Sequence, residues 1–223
     1  MGEHVLVVVA HSDDEALGCG ATIAKHARAG DMVDIVFVAD GVSSRDSGDD
    51  AALERRVSAA EKATQILGVR RLHYLNFPDN QLDSVPLISI TKEIEGILSQ
   101  TPATVVYTHH YGDLNVDHRV VHQAVMTAIR PMPGQTVKTI LTFEVLSSTE
   151  WASPGLMPFL PNYFVDTTDY IEYKMRALQC YSEEIREFPH SRSYENVHAL
   201  SRYRGACNGF SEAEAFMLMR MLR

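Results

Sequence analysis

Basic residues are scarce in this chain: 20 lysines and arginines stand against 29 aspartates and glutamates, a formal net charge of -9 over 223 residues. That balance argues against general binding to nucleic acid or to an anionic membrane, both of which call for a basic face. A small phosphate-bearing molecule stays open, because local arginines can hold one. Cysteine is scarcer still. Cys19, Cys180 and Cys207 are odd in number and lack C-x-x-C spacing, which fits semi-buried thiols in a reducing, cytoplasmic compartment better than a disulfide scaffold. No apolar run comes near the roughly 20 residues of a membrane helix, so no transmembrane segment is expected. Acids follow the first apolar run where a signal peptide would carry its small-residue cleavage site. Repeats and low-complexity segments are missing too. With 45% hydrophobic residues, the chain reads most simply as one domain over residues 1–223 with a sizeable core.

What is present alternates between strand and helix patterns. Val5 to Ala10 is an aliphatic, β-branched run of the kind found in a parallel strand covered on both faces. Helical spacing follows over 21–30, then MVDIVFVAD (32–40) as a second strand. GVSSRDSGDD (41–50) reads as a polar loop, and ALERRVSAAEKATQILG (52–68) as an amphipathic helix with Asp50 as N-cap and Gly68 as its stop. RLHYLNF (71–77) and ATVVYTHH (103–110) supply further strands, flanking a helix over 85–100. VVHQAVMTAIR (120–130) continues as a helix, and KTILTFEVLSS (138–148) as a fifth strand. After a proline-rich stretch (151–163) come a short strand, a helix near 168–186 and a tail. The tail's last segment, 211–222, has helical composition, but its alternation also allows an edge strand. The expectation is a Rossmann-like α/β fold, three layers with a mostly parallel sheet, and a C-terminal segment folded over the active edge.

Two strand ends carry the chemistry. The first apolar run stops in His11, Ser12, Asp13, Asp14 and Glu15; the fourth strand stops in HHYGDLNVDHR, residues 109–119. Open α/β sheets place ligands at the carboxyl ends of their strands. One histidine and one carboxylate from the first cluster, with a second histidine from the other, would make a mixed N/O zinc site with an open position. Such an ion activates water and stabilises an oxyanion, and a neighbouring carboxylate moves the proton. Charge accounting agrees, since Asp13, Asp14 and Asp117 at one edge repel one another without a cation. His118 and His122, four apart, mimic the two-histidine pair of other zinc enzymes, but Arg119 stands where those have glutamate. Glu15 is expected to bond backbone or a loop. His4, His26, His73 and His198 read as structural.

AHSDDE followed by LGCGATIAKHARAG resembles the AHPDDE motif of the PIG-L/LmbE-like zinc-dependent deacetylases, and DLNVDHR resembles their second motif, HPDHR. The helix, strand and loop of ERRVSAAEKATQILGV and LHYLNFPDNQLD match in order, so the similarity spans residues 5–125. The resemblance implies one zinc ion per chain, or another divalent metal, held by His11, Asp14 and His118. It implies that Asp13 is the general base toward a zinc-bound water, and that Arg56 lies near the substrate. Asp117 would orient a neighbouring group. The implied reaction is removal of an N-acetyl group from an amino sugar or sugar conjugate. The alternatives are a zinc amidase on another small-molecule amide and a non-catalytic sugar-phosphate or nucleotide-binding domain with a structural metal.

Two departures bear on mechanism. Ser12 replaces the proline of the first motif. Asn115 stands where the second has its first histidine, which the family uses for oxyanion stabilisation or as general acid. Asparagine can donate a hydrogen bond but not a proton, so the acid role passes to Asp13 once protonated, or to His110. Arg192, with His190, and Arg204 are candidates to hold anionic parts of a substrate. Specificity is expected from loops 41–49, 76–83, 147–162 and 187–196. An acidic chain with many loops is compatible with a homo-oligomer.

Overall fold

The computed structural model describes residues 2–41 and 50–223. Seven strands form one sheet in the order β3-β2-β1-β4-β5-β7-β6. β1 (His4–Val9), β2 (Met32–Ala39), β3 (Arg71–Phe77), β4 (Val105–His109) and β5 (Thr139–Phe143) run parallel. β6 (Tyr163–Asp166) and β7 (Ala213–Met221) complete the sheet, β7 antiparallel to both β5 and β6.

β1 lies between β2 and β4, and all six of its residues are buried. Its side chains alternate between two separate cores. Val5, Val7 and Val9 join one, with α1 (Asp14–Ala29), α2 (Asp50–Leu67) and α5 (Ile171–Cys180); Leu6 and Val8 join the other, with α3 (Leu87–Gln100) and α4 (Val116–Ala128). Each buried aliphatic side chain contributes about 1.5–3 kcal/mol, so a strand apolar on both faces is what a sheet covered by helices on both sides requires. This is the expected three-layer α/β fold.

The C-terminal part departs from expectation in three ways. Residues 213–221 form an interior strand, neither helix nor edge; the edge is β6. Their Ala, Glu and Met content favours helix in isolation, but the ladders to β5 and β6 outweigh it. Helix α5 is shorter than the 168–186 reading, and Tyr194–Ala206 forms a further helix, α6, whose N-cap Ser193 accepts from the Asn196 amide at 3.2 Å. Cys207 is exposed, unlike buried Cys19 and intermediate Cys180.

Helix α1 starts at Asp14, seven residues earlier than its spacing suggested, and is broken at Cys19 (φ -147°, ψ 25°). A buried ion pair fills the break. Glu214 of β7 accepts from the Ala21 and Thr22 amides at 3.1 and 2.7 Å, while Lys174 of α5 donates to the Leu17 carbonyl and to Glu214, both at 2.7 Å. Backbone groups that an unbroken helix would pair internally are thus satisfied from two other elements. Just before the break, Gly18 permits close packing: a Cβ there would sit 2.2 Å from the Phe143 ring. Among the described residues no helix is long and apolar enough to cross a membrane.

Candidate metal and catalytic site

The strand order reverses direction at β1, where β2 lies on one side and β4 on the other, and the crevice of such a sheet opens there. The turn after β1 delivers His11 to Asp14, and the turn after β4 delivers Asp113 to His118. His11 Nδ1 and His118 Nε2 both lie 3.3 Å from Asp14 Oδ2. One ligand atom from each of the three residues falls within 4.8 Å of the others, and all three residues are buried.

Behind each imidazole stands a carboxylate. His11 Nε2 is 3.2 Å from Asp117 Oδ2 and 3.1 Å from Asp79 Oδ1; His118 Nδ1 is 3.2 Å from Asp113 Oδ1. Asp117 also accepts from the Asn80 and Leu82 amides at 2.8 and 3.0 Å, fastening the β3 loop to the start of α4. Asp113 is held in turn by the hydroxyls of Ser148 and Thr149. Two histidines and a carboxylate converging on one point, each histidine backed by a carboxylate, is a donor set that fits a divalent ion such as zinc. Electrostatics agree. Burial opposes charge on both rings, yet Asp117, Asp14 and Asp79 raise the His11 pKa well above its ordinary value, and Asp14 and Asp113 raise that of His118 to about 9. A bound cation would take the place of these protons.

Asp13 sits at the mouth of this set in a strained backbone conformation (φ 124°), which non-glycine residues adopt at a cost of about 1–3 kcal/mol. Glu15 secures the turn, as expected. One of its oxygens accepts from the Asp13 amide at 3.0 Å and the other from the Tyr181 hydroxyl at 2.7 Å, and burial lifts its pKa to about 7. The Asp13 carboxylate faces two guanidinium groups: Arg192 Nη1 at 2.8 Å and Arg56 Nη2 at 4.0 Å. Burial raises the Asp13 pKa, and the Arg192 charge opposes that rise. Ser12, in place of proline, accepts from Arg56 through its hydroxyl and its carbonyl, each at 3.0 Å.

Asn115 caps α4. Its Oδ1 accepts from the Asp117 amide at 2.8 Å, and its Nδ2 donates to Asn80 Oδ1 at 3.5 Å, which leaves one Nδ2 hydrogen as a donor toward the cavity. His110 is not brought there: its Nε2 lies 2.8 Å from the Met157 carbonyl, and it does not line the cavity. Its neighbour His109 points the other way, accepting from the Ala10 amide at 2.9 Å and stacking on His118. Arg204 pairs with Glu144 at 2.9 Å through two nitrogens, and His190 takes the Arg192 amide at 3.0 Å; neither lines the cavity.

The open cavity, about 180 Å³, is lined by His11, Asp13, Asp14, Arg56, Asn115, His118 and Arg192, together with Gly41, Asp79, Asn80, Ser147, Ser148 and Glu184. Sequence reasoning did not single out Asp79, Asp113 or Glu184. Asp79 and Asp113 had a signal, lying in the loop and the polar cluster already marked; Glu184, near the end of a helix pattern, had none. Loop residues 42–49, expected to shape specificity, lie outside the described residues.

These features define an open α/β protein with a mixed histidine-carboxylate site at its topological switch point. Residues 6–129 match the PIG-L family, described as GlcNAc-PI de-N-acetylase, and the chain belongs to that family. An uncharacterised deacetylase, YaiS, of Escherichia coli is 34% identical over 182 residues, covering 78% of this chain and 88% of its own. The diacetylchitobiose deacetylase of Thermococcus kodakarensis is 26% identical, covering 94% and 80%. The solved N,N'-diacetylchitobiose deacetylase of Pyrococcus horikoshii shares the fold with a TM-score of 0.78 at 21% identity, over 98% of this chain and 84% of that one.

Proposed function

We propose that this protein hydrolyses the N-acetyl group of an acetylated amino sugar at the cavity between β1 and β4, with zinc as its resident metal. The observation that carries the reading is the convergence of His11, Asp14 and His118 on one point beside a carboxylate, Asp13, that is not itself part of the set. Family membership and the named activities of the relatives support the same chemistry.

His11, Asp14 and His118 would hold the ion, leaving a position open toward the cavity. When bound, it supplies Lewis acidity, making water nucleophilic near neutral pH and polarising the amide carbonyl. Asp13 takes the proton from the attacking water and, once protonated, returns it to the leaving nitrogen. Its burial raises its pKa, with Arg192 opposing the rise, and a raised pKa makes the carboxylate a stronger proton acceptor. Asn115 Nδ2 donates to the developing oxyanion. Asp117 and Asp113 orient the two imidazoles.

The test is Asp13→Asn, with metal content and amine release from N-acetylglucosamine oligomers measured on the same samples. The expected result is full metal loading with turnover down by about 10²–10⁴. Unchanged turnover, or full turnover after chelation, would remove the mechanism.

A further inference from the structure

Asp13 stands at the start of α1, where an aspartate ordinarily turns its carboxylate back to accept an amide of the first helical turn. Here it makes no such bond. Its backbone lies at φ 124°, ψ -28°, and its carboxylate faces the cavity, 2.8 Å from Arg192 Nη1. A strained backbone persists only where its surroundings over-determine it. Two buried side chains supply that constraint. Glu15 Oε2 accepts from the Asp13 amide at 3.0 Å, and Glu15 Oε1 accepts from the Tyr181 hydroxyl at 2.7 Å.

Glu15 and Tyr181 are 0% and 3% exposed, and neither lines the cavity. Tyr181, just past the end of α5, packs in the same core as Val9 and Ala16, which lie on either side of the turn after β1. Its carbonyl accepts from the Glu184 amide at 2.9 Å, and the Glu184 side chain bonds Arg56, which donates to Ser12. One residue of the C-terminal part therefore grips the turn after β1 by two routes, through its hydroxyl toward Asp13 and through its carbonyl toward Ser12. A carboxylate with a donor on each oxygen is fixed in rotation, since turning it forfeits a charge-assisted bond. Without the Tyr181 hydroxyl, Glu15 can turn, and the Asp13 amide loses its fixed acceptor.

We infer that Tyr181 is a positioning residue for the reaction: acting through Glu15, it holds the Asp13 backbone in the conformation that presents the carboxylate to the cavity. This inference rests on the reading of Asp13 as general base.

The experiment has a kinetic and a crystallographic arm. Tyr181→Phe removes the hydroxyl and keeps the ring in the core. With metal-loaded protein and N-acetylglucosamine oligomers, kcat for amine release should fall by about 10–100-fold, the cost of a displaced catalytic group, with KM and metal content unchanged. In an Asp13→Asn background the same substitution should cost nothing further, because the group that it positions is gone. A hydroxyl that served stability alone would leave kcat of the folded, metal-loaded protein where it was. Glu15→Gln keeps the side chain's shape but puts a donor in place of one acceptor, and should lower kcat in the same way; it carries the test if Tyr181→Phe does not fold. Unchanged kcat in the folded variant, or a further loss in the Asp13→Asn background, overturns the inference. The crystal structure of the same variant should show Asp13 out of its positive-φ conformation, and an unmoved Asp13 overturns the inference as well. No amine release by the unsubstituted protein would remove the deacetylase reading, and the crystal structure then decides the positioning alone.

Discussion

Asp117 reaches His11, 106 positions away in sequence, at 3.2 Å, rather than serving its immediate neighbour His118. The end of β4 therefore braces the metal-binding candidate at the end of β1, while His118 is backed by Asp113 of its own turn, and Asp117 does so while holding two amides of the β3 loop. Asp117→Asn should lower metal affinity by about 10–100-fold. Competition with a chromogenic chelator measures this, and activity should return with excess metal. Unaltered affinity would show that His11 needs no such brace.

Arg192 should set the acidic limb of the pH-rate profile. Burial lifts the Asp13 pKa and the Arg192 charge holds it down. Arg192→Ala removes the restraint, so Asp13 keeps its proton to higher pH, and the acidic limb of kcat/KM moves upward. An unmoved limb would detach that limb from Asp13.

Far from the site, Asp34 is fully buried in β2 and takes two bonds from Arg70, at 2.9 and 2.6 Å, with His4 at 3.2 Å. Burial opposes its charge, but Arg70 and His4 outweigh that and lower its pKa. A carboxylate lowered in the fold contributes stability that is present above its ordinary pKa of about 3.9 and is lost as pH falls through the lowered value. Asp34→Asn should cost about 1.5–3 kcal/mol at pH 7, the range for charge-assisted bonds, and much less at pH 2. Urea denaturation at both pH values checks the sign; an equal cost at both would contradict it.

Gly18→Ala should destabilise by about 1–3 kcal/mol through overpacking, since its new methyl meets the Phe143 ring. Thermal unfolding should show partial recovery in the double variant with Phe143→Leu. A neutral single substitution would mean that the ring moves aside without cost.

The fold was legible where one residue run had to satisfy one environment. Val5 to Ala10 could lie only in a covered parallel strand, and the acids after it could lie only at the strand's mouth. The last strand was harder to read, because Ala213–Met221 has helix-forming composition and becomes a strand only when β5 and β6 offer ladders on both sides. The site divides in the same way. His11, Asp13, Asp14 and His118 lie in compact clusters whose spacing carries information. Glu184 and Arg192 reach the cavity from the C-terminal cover, where single residues count and their positions depend on the whole chain having packed. Asn115 was read as a loss of acid chemistry, and the structure adds that the same side chain caps α4.

The break in α1 ties the beginning of the chain to its end. The Ala21 and Thr22 amides find their acceptor in Glu214, 193 and 192 positions later. As the chain leaves the ribosome, the residues of α1 are therefore made early, but the acceptor for its broken form arrives only with β7, which lies between β5 and β6. A nascent chain halted before that strand would already contain every residue of the proposed metal set, yet lack the acceptor that the break in α1 uses.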